Sequence, residues 1–341
     1  MNWSEQVVMV TGGAGSFGKK FVEIMRNEYH PKRLVVFSRD EVRQHEMRAS
    51  GLNDPTVQYR LGDVRDSERL GEVLADVTLV VHAAALKQVP TCEQQPFEAI
   101  QTNILGSKNV IDAAITRGVR RVIALSTDKA VSPMNVYGAT KLCMEKMFVQ
   151  ANSQSEEQNT RFSCVRCGSF LGSQGSVIPV FLAQSKRGKI TITDLRMTRF
   201  WITLDDAARF VIRSLERMSG GEIFVPKSPS MKVVDIAKAV APHCDIEISG
   251  IRPGERLHEV LLAADEAPHS LETEDMFVIQ PAQAYARANA RRDGMPVREG
   301  YCYASDTNGW WLTGEELCRW LGLQSFASHR PPNDFNSRNI N

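Results

Sequence analysis

R-V-I-A-L-S-T-D-K-A-V-S-P-M-N-V-Y-G-A-T-K, Arg121 to Lys141, is the stretch that decides the fold. Its β-branched apolar run, Val122 to Leu125, reads as a parallel strand buried on both faces. The run ends in Ser126, Thr127, Asp128 and Lys129, four side chains able to bond or move protons. Open α/β sheets bind ligands beyond the carboxyl ends of their strands, so these residues head a candidate site. Tyr137 and Lys141 lie four apart on the helix that the pattern predicts, and so share one face of it. A phenol titrates near pH ~10 in water and serves as a base near neutrality only beside a cation that favours the phenolate. Lys141 is placed to be that cation. A Tyr and a Lys at this spacing are most often a surface pair; here Thr127, the Asp128–Lys129 pair and an N-terminal glycine loop accompany them.

Upstream, the short run Gln6 to Val10 feeds T-G-G-A-G-S-F-G, Thr11 to Gly18, which opens a helix through Met25. Gly12, Gly15 and Gly18 allow a tight turn, close approach to a pyrophosphate and close helix packing, with Ser16 and Phe17 at the helix N-terminus. The spacing is G-x-x-G-x-x-G, and its position after a first strand is what gives it weight. A second strand, Leu34 to Phe37, is followed by Ser38-Arg39-Asp40. A small residue followed by Arg suits the 2′-phosphate of NADP, with Arg43 one turn into the next helix as a second charge; Asp40 keeps NAD open. A third strand, Val57 to Leu61, leads to Asp63 and Val64, where the carboxylate can meet the adenine amino group.

A fourth strand, Val77 to Val81, ends in H-A-A-A-L-K. Ala83 and Ala84 let a cofactor lie against the backbone, Lys87 faces the predicted cleft, and His82, inside the apolar run, reads as a core histidine. Pro96 to Gly118 has helical periodicity with Asn103 near its middle, and a sixth strand runs from Phe162 to Arg166. Strands alternating with helices predict a Rossmann-type doubly wound parallel sheet with a smaller, mixed α/β second lobe. The expected division is 1–168 for the dinucleotide lobe, with a return near 200–227, and 169–199 plus 228–324 for the substrate lobe. A charged turn, Arg252 to Arg256, precedes L-H-E-V-L-L, read as the start of an apolar helix. Residues 325–341 are polar and aperiodic, and are expected to be disordered.

The chain has 341 residues, 41 basic against 40 acidic, so charge gives no reason to expect nucleic acid or an anionic membrane as partner. The N-terminus lacks the pattern of a signal peptide and no apolar run approaches the ~20 residues of a membrane span, which predicts a cytoplasmic protein. Among seven cysteines, Cys164 and Cys167 alone have C-x-x-C spacing, on a strand where residues three apart face opposite ways. Free thiols and no metal site are expected.

T-G-G-A-G-S-F-G, S-R-D-E-V-R-Q, H-A-A-A-L-K-Q-V-P, S-T-D-K-A, Y-G-A-T-K, G-S-V-I-P, M-T-R-F-W-I and I-R-P-G-E-R-L-H-E-V resemble the extended short-chain dehydrogenase/reductases. More narrowly, they resemble the inverting UDP-N-acetylglucosamine 4,6-dehydratases of pseudaminic acid biosynthesis, over about residues 5 to 265. In that resemblance Tyr137, assisted by Lys141, takes the proton of the sugar 4-hydroxyl while NADP+ accepts hydride from carbon 4, and Thr127 bonds the developing ketone. Lys129 then removes the proton on carbon 5, Asp128 protonates the departing 6-hydroxyl, and hydride returns to carbon 6. A lysine acting as base must be neutral, which predicts a depressed pKa for Lys129. The resemblance also implies that Arg199, Arg252 and Glu255 contact UDP, and that the protein is a homo-oligomer, a dimer or a hexamer. Two stretches depart from the pattern: Cys167-Gly168-Ser169 stands where relatives commonly read Y-G-N, and Gln174 where they read Arg. Ser169 therefore enters as a substrate contact without the Asn amide. The Asp128–Lys129 pair separates this group from 4-epimerases of the same fold. The rivals are a 4-epimerase, the route to an L-fucosamine precursor, and a non-catalytic NADP-sensing regulator.

Overall fold

Alternation along the first strand divides the core into two layers. In β1 (Val7–Thr11) every residue is buried, with Val7 and Met9 facing one cluster and Val8 and Val10 the other. β5 (Arg121–Thr127) behaves alike: Val122 and Ala124 join the first cluster, Ile123 and Leu125 the second. A strand buried on both faces must be apolar at successive positions, and that is why these runs show no polar alternation. The computed structural model describes residues 1–155, 157, 159–281 and 293–323.

The other strands of the parallel core are β2 (Arg33–Ser38), β3 (Val57–Leu61), β4 (Leu79–His82) and β6 (Arg161–Cys167). Their spatial order is β3-β2-β1-β4-β5-β6, so the chain reverses direction across the sheet between β1 and β4. The reversal opens a crevice at the carboxyl ends of those two strands, where Thr11 and His82 sit side by side. The helices Gly106–Thr116 and Val136–Gln154 supply Val110, Ile111 and Phe148 to one layer. Ser16–Ile24 and Leu204–Arg217 supply Phe21, Val22, Phe210 and Val211 to the other. The sheet is the doubly wound one that the sequence predicts.

Beyond β6 the sheet continues with Ile223–Pro226, parallel to it, and then with three antiparallel strands, Met276–Ile279, Ser270–Glu272 and Met295–Pro296. The helix Leu204–Arg217 packs on this sheet and the strand Ile223–Pro226 pairs with β6. Ser270–Glu272, Met276–Ile279 and Met295–Pro296 thus form this edge of the sheet. The second lobe gathers a small sheet of Ser230–Lys232, Thr198–Ile202 and Ser169–Phe170 around a core that includes Ile178, Phe181, Trp201, Ile236 and Leu317. One expectation is overturned: L-H-E-V-L-L is no helix. Val260–Leu262 is a strand paired with Tyr303–Ala304, and the Leu257 carbonyl accepts from Thr198 N (3.0 Å) rather than from a residue four ahead. A short apolar run fits strand and helix equally, and distant backbone partners decided it. The tail 325–341 lies outside the described residues.

No helix among the described residues is long and apolar enough to cross a membrane. Cys164 and Cys167 are free and buried.

Candidate active site

The glycine loop is held where only glycine fits. Gly12 has φ +64°, and a Cβ there would lie 2.9 Å from the Cα and backbone N of Ala84, so the β1 turn runs backbone to backbone with the end of β4. A Cβ on Gly18 would lie 2.4 Å from the Gly13 carbonyl oxygen, which presses the helix onto the loop. Gly15 caps the helix Ser16–Ile24 with no side chain on its free N–H groups, the arrangement that favours a phosphate.

A cleft of about 760 Å³ opens from this helix end. Gly12, Gly15, Ser16, Phe17, Gly18, Ser38, Arg39, Asp40, Arg43, Asp63, Val64, Ala83, Ala84, Lys87, Tyr137 and Lys141 all line it. Phe170 stacks on Phe17 at 5.9 Å as part of the opposite wall. Asp40 caps the helix Glu41–Met47, accepting from Arg43 N (3.0 Å) and pairing with Arg43 Nε (3.2 Å). Its carboxylate is thus occupied, while Ser38, Arg39 and Arg43 border the space beside β2. Asp63 lies 3.4 Å from Arg39 and 2.9 Å from Arg65; burial works to raise its pKa, and these cations outweigh that and bring it below the usual value. The volume of the cleft and its glycine floor fit a nicotinamide dinucleotide.

His82 is fully buried as a core histidine, paired with Thr11 Oγ1 (2.8 Å) and Ser107 Oγ (3.0 Å); burial, with Lys141 adding to it, pushes it down to about 3. Asn103 clamps the loop after β4 to the helix Val136–Gln154, bonding Leu86 N (2.8 Å), Leu86 O (2.9 Å) and Thr140 Oγ1 (3.0 Å).

At the end of β5, Thr127 Oγ1 donates to Asp128 Oδ1 (2.8 Å) and Lys129 Nζ donates to the same oxygen (3.0 Å). The Asp128 side chain is 1% exposed, and its Oδ2 has no partner among the described residues. The following helix starts at once: Asn135 caps it, accepting from Gly138 N (2.7 Å), and Gly138 abuts the turn that holds Lys129. A Cβ on Gly138 would lie 2.1 Å from the Lys129 carbonyl oxygen, so glycine after Tyr137 sets how near the helix comes to the acid–base pair.

Two electrostatic expectations are corrected. Burial pushes the Tyr137 phenol up to about 12; Lys129 and the Thr127 hydroxyl favour the phenolate and Asp128 opposes it. Burial brings Lys141 down to about 8, and its Nζ lies 3.0 Å from Met144 Sδ. For Lys129, burial works downward as expected, yet Asp128 and Glu259 outweigh it and hold the amine well above the ordinary lysine range. Glu259 escaped the sequence reading. It stood as the one acid in L-H-E-V-L-L, and a helical reading gave it no reason to face β5.

The expected substrate residues lie apart from the main cleft lining, except Lys87, whose Nζ donates to the Gln174 carbonyl (3.1 Å). Ser169 begins the small strand beside Trp201. Arg199 is buried and donates to the carbonyls of Thr198 (2.7 Å), Leu257 (3.0 Å) and Arg256 (3.0 Å). Glu255 closes its own turn by accepting from Arg252 N (3.2 Å), and Arg252 is exposed. Asn135 Nδ2 donates to the Gly254 carbonyl (2.8 Å) and Arg256 to Ser132 O, so this turn is tied to the loop just before Tyr137. No cluster of three or more metal-type ligands occurs among the described residues.

Residues 8–281 match the polysaccharide biosynthesis protein family. The chain is 46% identical to the UDP-N-acetylglucosamine 4,6-dehydratase (inverting) of Campylobacter jejuni subsp. jejuni serotype O:2, over 92% of this chain and 97% of that one. It is 40% identical to the UDP-glucose 4-epimerase of Rickettsia rickettsii, over 81% of this chain and 83% of that one. Among solved structures, Pen from Bacillus thuringiensis superposes with a TM-score of 0.87 at 34% identity, covering 95% of this chain and 99% of that one.

Proposed function

The chain belongs to the polysaccharide biosynthesis protein family, and from that premise and the site above we propose that it is an inverting, nicotinamide-dependent UDP-N-acetylglucosamine 4,6-dehydratase. The observation that carries the reading is the buried Asp128, 3.0 Å from Lys129 and coupled to Tyr137. Oxidation and reduction at carbon 4, all that a 4-epimerase requires, use one base and the cofactor. Loss of water across carbons 5 and 6 needs a second base and an acid, and Lys129 and Asp128 supply them. That pair favours the dehydratase over the epimerase and over a sensor with no chemistry to do.

The cofactor, for which Ser38, Arg39 and Arg43 favour NADP, supplies when bound the hydride acceptor for carbon 4 and the donor for carbon 6. Tyr137 takes the proton of the 4-hydroxyl, with Thr127 bonding the ketone oxygen. The ketone acidifies the proton on carbon 5, which passes to the Lys129 amine. Asp128 gives its proton to the 6-hydroxyl, which leaves as water. Lys129 is left charged and Asp128 ionised, and a proton passing from Lys129 to Asp128 along their 3.0 Å bond resets the pair; as hydride returns to carbon 6, carbon 5 takes a proton from solvent and Tyr137 gives its proton back to solvent. The first lobe holds the cofactor in this scheme, and Lys87, Ser169, Arg199, Arg252 and Glu255 recognise the UDP-sugar. We place the product in a pseudaminic acid route, and the enzyme in the cytoplasm as a homo-oligomer.

The test is product NMR after incubation with UDP-N-acetylglucosamine in deuterium oxide. The expected product is a 6-deoxy-4-keto sugar with deuterium at carbon 5 and L-arabino coupling constants. A fresh product retaining the D-xylo configuration would refute inversion alone; a 4-epimer with its 6-hydroxyl intact would refute the dehydratase.

A further inference from the structure

Lys129 is gripped from two sides. Its Nζ lies 3.0 Å from Asp128 Oδ1 on its own strand end and 3.4 Å from Glu259 Oε1, which arrives from the second lobe. The Glu259 side chain is 3% exposed, and its backbone is pinned: its N–H donates to Ser305 Oγ (2.9 Å) and its carbonyl accepts from Ser305 N (2.8 Å). The same Oε1 lies 3.6 Å from Arg199 Nε, while both terminal nitrogens of Arg199 are spent on backbone carbonyls. Glu259 Oε2 has no partner among the described residues. Neighbouring His258 turns away, to Thr198 Oγ1 (2.8 Å) and Asp306 (4.0 Å). The charged groups facing Lys129 are therefore Asp128, Glu259 and, beyond Glu259, Arg199, with the Tyr137 phenol alongside.

We propose that Glu259 is the positioning residue of the elimination step, holding the Lys129 side chain against Asp128 from the opposite side. A buried carboxylate is costly to leave half-paired, and this one sits where it meets the ammonium of the acid–base pair. The inference rests on the dehydratase reading. In the step concerned the C5–H bond breaks and its proton goes to the Lys129 amine. Its electron pair becomes the second bond between carbons 5 and 6, the C6–O bond breaks, and the oxygen leaves as water with the proton of Asp128. Lysine gains a positive charge as aspartate gains a negative one. Oxidation at carbon 4 creates no charge on Lys129, so Glu259 matters to elimination and little to oxidation.

The experiment compares wild type with Glu259→Gln and Glu259→Asp, each as the full chain with NADP and UDP-N-acetylglucosamine. Single-turnover formation of reduced cofactor reports oxidation; deuterium uptake at carbon 5 and release of the 6-deoxy sugar report elimination. Glu259→Gln should oxidise at close to the wild-type rate and eliminate about tenfold slower or worse. The active pair carries one proton, which lysine loses on the alkaline side. Without the neighbouring negative charge it is lost at lower pH, so the alkaline limb of the elimination profile should fall by about one pH unit. Glu259→Asp should restore part of both. An unchanged alkaline limb, or equal losses of oxidation and elimination, would overturn the inference. If the wild type oxidises without eliminating, the dehydratase reading falls and takes this one with it, whereas a failure confined to the variants leaves that reading standing.

Discussion

Replacing Gly138 by Ala tests how tightly the acid–base pair is fixed against the catalytic helix. In an open helix the change would stabilise, by about 1 kcal/mol, because glycine is the poorer helix former. Here the added Cβ would lie 2.1 Å from the Lys129 carbonyl oxygen and 3.1 Å from Pro133 Cβ, and the first of these is backbone that cannot swing aside. Ordinary contact needs more than 1 Å extra, so the helix start and the Lys129 turn must part by about that much. Overpacking of this kind costs about 1 to 3 kcal/mol, which exceeds the propensity gain, and a displacement of about 1 Å between catalytic groups costs about 10²-fold in rate. The expected result is a net loss of stability in urea titrations and a drop of about 10²-fold in turnover. A variant as stable as wild type or more so, turning over at the wild-type rate, would show that the helix and the turn have slack and that the spacing is not what Gly138 sets.

Two further outcomes follow from the first lobe. His82, normally near 6.5 and held at about 3 by burial, must stay neutral in the folded chain; the unfolded chain takes up its proton as pH falls below 6.5, so stability drops through that window by about 3 kcal/mol at pH 4. Urea titrations from pH 7 to 4 should record this slope and find it flatter in His82→Asn, and equal slopes would refute it. Ser38, Arg39 and Arg43 predict tighter binding of NADP than of NAD, with Arg39→Ala shrinking the ratio by about tenfold; equal wild-type affinities in calorimetry would refute the preference.

The sheet was legible because strands such as Val7–Thr11 and Arg121–Thr127 are buried on both faces and write themselves as unbroken apolar runs. Thr11 to Gly18 was legible for a related reason: Gly13, Gly15 and Gly18 answer to close contacts within one βαβ unit, and only Gly12 answers to a remote one, Ala84 at the end of β4. Legibility failed where the deciding partner is remote. Leu257 to Leu262 becomes extended by pairing with Tyr303–Ala304 and with Thr198, and nothing local distinguishes that from a helix. The charge of Lys129 was misjudged for the same reason, since burial can be guessed from its surroundings in the chain and Glu259 cannot.

The sheet edge carries a lesson for anyone reading lesions in this gene. The strand Ile223–Pro226 lies between β6 and Met276–Ile279, so the dinucleotide lobe is finished by chain that follows most of the second lobe. A fragment ending at residue 168 would leave β6 with a bare row of backbone donors and acceptors, the condition that invites aggregation. A destabilising substitution at Phe277 or Val278 will therefore present as loss of cofactor binding, although neither residue lines the cleft that the glycine loop opens. Phenotype and contact part company wherever the last strands of a sheet are the last to be synthesised.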